Sequence, residues 1–454
     1  MFILTKFKQI LLLLGDIFLL FVSLYITLSI RYSQTFIMDK WLEHFYPFAI
    51  IYMIWVLVFF SQNLYNLNFT KNNIFFFKTL SESFFINIFI ATFFFYFTTF
   101  FGIAPKTNLF LNVLISGILL FTWRFIYNLT MSKQSFKTKV AFLGYSEEVN
   151  ELIKAFKNEP QLGYQCVVVV SNEPISNSDV QTMSMDEFLQ NVEKLDINTI
   201  AIHHGKIKMD EKINEKLYKL MFKNINFINL LRIYEEITAK VPTSLISEGW
   251  FLDNIQESEK KIYDKLKVAM DVVLALLMLF VFLILLIPIS LITLITSGRP
   301  IFYSQKRIGE KDKSFKIHKF RTMIKNAEQG NAQFASINDN RITKFGKFLR
   351  TTRLDELPQV INILKGEMSF IGPRPERPEF VTQLEQEMPF YSTRHLAKPG
   401  LTGWAQINYP YAGTIAENLK KLQYDIYYIK NRSLLLDFAI ILKTFNIIIR
   451  FKGR

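Results

Sequence analysis

One short run in the chain brings acids, arginines and a helix signal together. It reads Arg350-Thr351-Thr352-Arg353-Leu354-Asp355-Glu356-Leu357-Pro358-Gln359, and apolar residues continue over 357–364 to Lys365-Gly366. Lys-Gly is a helix stop, so the pattern predicts a helix with Asp355 and Glu356 at its N-terminus. In one reading the acids cap that helix and answer its dipole. In the other, the helix end and the arginines lower a carboxylate's pKa and hold it ionised as a nucleophile. Adjacent acids are common, and the pair alone does not choose between the two.

The neighbourhood favours the second reading. Lys316-Ile317-His318-Lys319-Phe320-Arg321-Thr322-Met323 offers fixed cations. Ile371-Gly372-Pro373-Arg374-Pro375-Glu376-Arg377-Pro378 is a stiff turn presenting arginines, and Pro399-Gly400-Leu401-Thr402-Gly403-Trp404-Ala405-Gln406 is a tight loop whose aromatic could stack on a base or sugar. A guanidinium fork offers phosphate two parallel hydrogen bonds. A plain surface explains any one of these segments but not all four between residues 316 and 406.

Positioning elements of two kinds are legible. The chain has 454 residues, half of them hydrophobic, with 46 Phe and a net charge of +14. Disorder is excluded by the apolar content, and a wholly soluble protein by the mean hydropathy of +0.19. A single cysteine, Cys166, excludes an internal disulfide or a Cys-based zinc site. Four apolar stretches, roughly 10–30, 45–64, 84–101 and 109–127, are each about long enough to span a bilayer. Polar or turn residues separate them: Asp39-Lys40, residues 66–73, and residues 102–108 with Pro105. No signal-peptide cleavage pattern follows the first stretch, which reads as a retained helix. Lys6, Lys8, Lys71, Lys78, Lys133, Lys137 and Lys139 lie on one side, against Arg31, Lys40 and Lys106 on the other. The positive-inside rule then places both ends of a four-helix bundle, residues 1–130, in the cytosol.

Residues 138–245 change character. Apolar runs at 139–143, 166–170, 199–203 and 226–230 read as buried parallel strands, with helices at 147–158, 185–195 and 211–223 between them. This is a Rossmann-like α/β pattern. Its first turn, Gly144-Tyr145-Ser146-Glu147-Glu148, has one glycine and two carboxylates. That turn makes a poor phosphate cradle, so a scaffolding or regulatory role is expected. His203-His204 lies at a strand end, with no partner at metal-ligand spacing.

A fifth apolar stretch, 268–296, is interrupted by Pro288 and flanked on both sides by lysines and arginines. Both flanks favour the cytosol, so a helix that enters the membrane, kinks near Pro288 and returns is expected. The alternative is a plain fifth span. Basic amphipathic segments at 342–349 and 434–449 suit the surface of an anionic leaflet and account for part of the charge. No nucleic-acid-binding module is present in the sequence.

Residues 262–454 resemble the bacterial sugar transferase family, the polyprenyl-phosphate phosphoglycosyl transferases. The matching runs are the helix with Pro288, Ser304-Gln305-Lys306-Arg307-Ile308-Gly309, Lys319-Phe320-Arg321-Thr322-Met323, Leu354-Asp355-Glu356-Leu357-Pro358-Gln359, Gly372-Pro373-Arg374-Pro375-Glu376 and Lys398-Pro399-Gly400-Leu401-Thr402-Gly403-Trp404-Ala405-Gln406. The apolar start and the α/β domain resemble the large, hexose-1-phosphate transferase subgroup. The implied fold class is membrane α plus α/β: a four-helix transmembrane bundle, a Rossmann-like cytosolic domain over 138–245 and a re-entrant-helix α/β catalytic domain over 260–454.

The resemblance implies transfer of a sugar-1-phosphate from a UDP-sugar to undecaprenyl phosphate, with release of UMP. This would open exopolysaccharide, O-antigen or capsule assembly. It further implies a bacterial inner-membrane protein with its catalytic domain facing the cytosol. Asp355 falls on the family's nucleophile, which forms a covalent phosphosugar intermediate, and Glu356 on its partner acid tied to Mg²⁺; both are candidate metal ligands. Arg350 and Arg374 fall on phosphate-contacting arginines, while Lys319 and Arg321 lie in the matching basic run. The chain departs from the family after Gln406, reading Ile407-Asn408-Tyr409-Pro410-Tyr411 where Asn-Gly-Arg is commoner. It also lacks the Gly-rich turn that some large members carry in the α/β domain. The sugar, the glycan pathway and homo-oligomerisation stay open.

Two other readings compete. A membrane-anchored ligand sensor or assembly protein would not need an acid pair beside arginines. A membrane-bound nucleotide-sugar dehydratase or epimerase would need a Gly-rich cradle and a Tyr-x-x-x-Lys pair with the α/β strands, which are not there. The topology is open to direct test. With Cys166 replaced, single cysteines near Lys265 and near Lys313 should both react only from the cytosolic side; labelling from the other side near Lys313 would establish a plain fifth span.

Overall fold

The computed structural model describes residues 2–32, 38–68, 70–97, 106–133, 137–171, 180–203, 210–223, 225–255, 260–325, 339, 341–409 and 414–449. The chain forms two compact units, Met1–Ile237 and Thr238–Arg454. His204, Pro105, Pro410 and Tyr411, singled out above, lie outside the described residues.

The first unit opens with four long helices, α1 (Phe2–Tyr32), α2 (Met38–Ser61), α3 (Ile74–Phe97) and α4 (Lys106–Met131). Each is long and apolar enough to cross a membrane. α3 begins ten residues earlier than the hydropathy pattern suggested, because Lys78 and Glu82 sit within it without ending it. Apolar stripes bury α1 against its neighbours, with Leu12, Leu20, Leu24 and Leu28 fully covered. Between them lies a buried ion pair, Arg124 with Asp16. The Tyr65 hydroxyl donates to Asp16 Oδ2 at 2.8 Å, and Arg124 Nη1 donates to the Leu64 carbonyl. Every strong hydrogen-bonding group of the pair thus has a partner, as burial demands.

A parallel five-stranded sheet follows. Its strands are β1 (Thr138–Leu143), β2 (Tyr164–Val170), β3 (Gln181–Met183), β4 (Thr199–Ile202) and β5 (Asn226–Asn229), in the order β3-β2-β1-β4-β5. Helices α5 (Glu147–Asn158), α6 (Met185–Asn191), α7 (Glu211–Met221) and α8 (Leu230–Thr238) connect or follow them. The central strands carry Val140, Ala141, Phe142 and Leu143 with Val168, Val169 and Val170, all buried, as expected of a sheet covered on both faces. β3 was not legible: Gln181 and Thr182, exposed, and Met183, half-buried, carry no apolar signal. His203 continues β4, its amide donating to the Leu143 carbonyl.

Residues 238–245, read above as the tail of the α/β domain, pack in the second unit. There the Val241 amide donates to the Gln423 carbonyl at 3.0 Å. After α9 (Glu248–Asn254) comes α10 (Lys261–Ser297), 37 residues long, which continues through Pro288. At about 1.5 Å per residue it measures roughly 55 Å, well beyond a bilayer core of about 30 Å.

One stripe of α10, Ala275, Phe282 and Ile289, packs on Ile317, Phe320, Leu349, Leu357, Val360 and Ile363. The opposite face leaves Leu277, Phe280, Ile284, Ile287 and Ile295 exposed. Polar clamps fix the helix. Asp271 Oδ1 accepts from Ser369 Oγ and the Phe370 amide, both at 3.0 Å, and Lys267 Nζ lies 2.9 Å from Asp437 Oδ2.

Beyond α10 an antiparallel hairpin pairs β6 (Phe302–Ile308) with β7 (Ser314–Phe320). Then come α11 (Lys344–Thr351), a 3₁₀ turn (Leu354–Gln359), α12 (Val360–Leu364), β8 (Ser369–Ile371) and α13 (Pro378–Glu387). A 3₁₀ segment (Tyr391–Leu396), β9 (Gly400–Thr402), α14 (Trp404–Asn408), α15 (Ile415–Asn431) and α16 (Leu434–Ile449) complete the unit. β8 and β9 run parallel and so close that a Cβ on Gly372 would overlap the Lys398 carbonyl.

The buried pair in the first unit gives a stability test. Asp16→Ala leaves Arg124 charged, enclosed and unanswered, which should cost about 3–5 kcal/mol. Thermal unfolding in detergent should show a clear drop, larger than for a surface control such as Lys219→Ala.

Candidate active site

The 3₁₀ turn delivers both acids. Arg353, just before it, adopts a left-handed backbone, φ 61°, which reverses the chain between α11 and the turn. Few non-glycine residues hold that conformation without compensation. Here Arg353 Nη1 donates to Glu356 Oε2 at 3.2 Å. The expected α-helix over 357–364 is thus a 3₁₀ turn continued by a short α12, and the acids occupy the first turn of the former.

Three elements converge on Glu356. Lys319 Nζ, from β7, donates to Oε1 at 2.7 Å. Arg374 Nη2, from the loop after β8, donates to the same oxygen at 3.3 Å. Arg353 takes the second oxygen. Glu356 is 5% exposed. Burial alone would raise its pKa, but Lys319, Arg374 and Arg353 overcome that and hold it well below the usual carboxylate range.

Asp355 differs. It is 6% exposed, and its Oδ1 is buried with no hydrogen-bond partner among the described residues. Burial and the adjacent Glu356 charge push its pKa up to about 6, against the pull of Lys319, Arg350 and Arg353. The cations therefore do not, on balance, lower the expected nucleophile's pKa: the lowered acid is Glu356 and the raised one Asp355. Arg350 Nε donates to Thr322 Oγ1 at 2.8 Å, and its charge acts on Asp355. α11 reaches this position because Gly346 lets it lie on the Thr322 backbone, where a Cβ would collide.

Two expected roles are not what the structure places. Arg321 is buried and donates to the carbonyls of Ser297, Gly298 and Arg299, so it closes the end of α10 instead of joining the acid pair. Trp404 is 9% exposed in the core, stacked on Tyr427, with Nε1 donating to the Ala239 carbonyl at 3.0 Å. Its ring is committed to packing, and the run after Pro399 is β9 and α14 in place of an open loop.

A second charged layer holds Arg374. Arg394 Nη2 donates to the Arg374 carbonyl at 2.8 Å and pairs with Asp425 at 3.0 Å. Arg307 Nη1 donates to the Pro375 carbonyl at 3.2 Å. Glu376 accepts from Lys421 at 3.2 Å and lies 3.5 Å from Arg307; although buried, it is held at about 2 by Lys421, Arg394, Arg307 and Arg374. Arg394, Lys421 and Asp425 lie outside every motif singled out above and were missed. Arg353 stood in the acid run three residues before Glu356, a spacing that could have assigned it.

Set beside Asp355 and Glu356, the cations Lys319, Arg350, Arg353 and Arg374 leave an excess of positive charge. A cleft lined by Arg307, Ile317, Lys319, Gln359, Arg374, Pro375 and Gly400 adjoins them. Such a site has the charge and the donor geometry that suit phosphorylated anions. Residues 262–451 match the family model described as bacterial sugar transferase.

The chain is 39% identical over 233 residues to the UDP-N-acetylgalactosamine-undecaprenyl-phosphate N-acetylgalactosaminephosphotransferase of Aeromonas hydrophila, covering 51% of this chain and 54% of that one. It is 41% identical over 237 residues to the UDP-glucose:undecaprenyl-phosphate glucose-1-phosphate transferase of Xanthomonas campestris pv. campestris, covering 51% and 46%. With the enzyme of that same description from Escherichia coli the identity is 33% over 321 residues, covering 68% and 67%. The matches thus span about half the length of the first two relatives. The chain belongs to the bacterial sugar transferase family.

The split between the acids can be read spectroscopically. An infrared difference between wild type and Asp355→Asn should show a protonated carboxyl band growing in as pH falls through about 6, because a raised acid is ionised only above that value. In Glu356→Gln the midpoint should move down, since a like charge is removed and three cations are released toward Asp355.

Proposed function

We propose that the chain transfers a sugar-1-phosphate from a UDP-sugar to undecaprenyl phosphate at the cytosolic face of a bacterial inner membrane, starting exopolysaccharide, O-antigen or capsule assembly. The names of its relatives support the substrates. The observation that carries the mechanism is the unpartnered Oδ1 of Asp355, enclosed among cations beside a Glu356 whose oxygens are already engaged.

An Asp355 oxygen attacks the phosphorus bearing the sugar. A carboxyl O–P bond forms, the P–O bond to the uridine phosphate breaks, and UMP leaves with that oxygen. A phosphate oxygen of undecaprenyl phosphate then attacks the same phosphorus and displaces the Asp355 carboxylate, restoring the enzyme. Carboxylate and diphosphate repel each other, by about 4 kcal/mol per pair of unit charges at ~4 Å and an effective dielectric near 20. Arg350, Arg374 and Lys319 offset this repulsion and spread the charge that builds on the transferring group. Glu356 keeps Lys319, Arg353 and Arg374 convergent.

Mg²⁺ fits this site in one respect. Asp355 Oδ1 is a hard, free oxygen donor. Glu356 would have to share its oxygens with Lys319, Arg353 and Arg374, whose charges oppose a second cation there. A bound Mg²⁺ would supply further neutralisation of the diphosphate.

The four N-terminal helices would span the bilayer as a bundle, with the α/β sheet in the cytosol. α10 would enter and return, bending near Pro288, and its exposed apolar face would meet lipid. Seated in this way, the acids would lie at the depth of the acceptor's phosphate.

The two-step course makes a clear demand. Without lipid acceptor, the enzyme should exchange labelled UMP into UDP-sugar, because the covalent intermediate conserves the bond. Asp355→Asn should abolish both exchange and turnover. Exchange surviving at wild-type level would favour direct attack by the lipid phosphate. Screening UDP-sugars for UMP release would identify the sugar.

A further inference from the structure

Gln359 closes the 3₁₀ turn that carries both acids. It is 3% exposed, and its Nε2 is buried without a hydrogen-bond partner among the described residues. A buried amide donor left unmade opposes folding, and an apolar residue of similar size would remove that penalty. The side chain lines the cleft beside Lys319, Arg374 and Arg307, all of them pure donors. Of the carboxylates close to these groups, Glu376 is engaged by Lys421 and Arg307, and the two acids of the turn are committed differently. Both Glu356 oxygens already accept from Lys319, Arg353 and Arg374, and Asp355 Oδ1, four residues back along the turn, is itself unpartnered among the described residues, so the two side chains do not satisfy one another. The charged side chains of this wall are all donors, and Gln359 Nε2 adds an unused one, so an occupant that brings acceptors is favoured.

We infer that Gln359 is a substrate-binding residue whose carboxamide donates a hydrogen bond to a non-bridging phosphate oxygen of the nucleotide-sugar donor, beside Lys319 and Arg374. This rests on the transferase reading above and adds to it a neutral contact among the charged ones. A neutral donor brings no further charge into a site that already holds excess cations. Its two N–H groups, fixed by the turn that also carries Asp355, tie the phosphate's position to that of the attacking oxygen.

The test is Gln359→Leu in the full-length protein, with the isosteric Gln359→Met beside it in case the branched side chain does not pack. The KM for the UDP-sugar should rise about tenfold or more, the loss expected for one hydrogen bond to a charged group. Thermal stability without ligand should be unchanged or higher. Stabilisation by added UDP, used as a diphosphate probe, should shrink. Gln359→Glu should be worse than either, because a carboxylate would face the phosphate.

If instead Gln359 serves Asp355, the variants will shift the Asp355 titration midpoint and leave KM and the UDP effect as in wild type, which overturns the proposal. So does a purely structural outcome, with lowered melting temperature in both Leu and Met variants and an unaltered KM. Wild-type protein that releases no UMP from any UDP-sugar would sink the transferase reading itself, whereas active wild type with equally active variants would sink only the role of Gln359.

Discussion

The Glu356 carboxylate is the interaction around which the second unit is arranged. Three cations from three separate elements meet on its two oxygens. Lys319, Arg353 and Arg374 would repel one another at such range, by an amount comparable with a sizeable part of a domain's net stability. Glu356 makes the convergence tolerable and so lets β7, the chain reversal at Arg353 and the loop after β8 occupy one place. Its burial matters as much as its charge, because the same contacts in bulk water would be weak.

Putting Asp355 next to that hub sets the two acids apart. They are chain neighbours of nearly identical chemistry, yet one accepts from three cations and the other has a buried oxygen with no hydrogen-bond partner among the described residues. The difference comes from geometry, since the 3₁₀ turn points successive side chains in different directions. The acid engaged by three cations holds the site together, and the other keeps an oxygen that no described residue uses. A second layer, in which Arg394 and Arg307 grip the backbone around Arg374, spares that guanidinium from having to hold its own place.

Much of this was legible because some residue types admit few explanations. Long apolar stretches gave the helices, and buried Val and Ile runs gave the central strands. Asp355-Glu356 beside arginines gave the heart of the site. What stayed hidden depended on the third dimension. Lys319 and Arg321 are two residues apart on one strand end and look interchangeable, yet one turns to Glu356 and the other to the carbonyls closing α10. Trp404 sits in a Gly-rich run that suggests an open loop, but the strand pairing of Gly400 and Thr402 draws it into the core. Arg394 and Asp425 form a buried pair across 31 residues, and no local pattern announces such a partnership.

The closing of α10 by Arg321 has a wider consequence. A helix end carries about half a negative charge on its free carbonyls, and the guanidinium answers it. The strand that leads into Arg321 sends Lys319 to the acids two residues earlier, so the end of the long helix and the acid pair are joined through one short stretch of chain. For a helix seated in lipid, any force that draws it deeper or lifts it would be passed along that stretch. Hydrocarbon thickness would then bear on the acid pair as well as on the helix, and the acyl-chain length of a host membrane would reach the site through it.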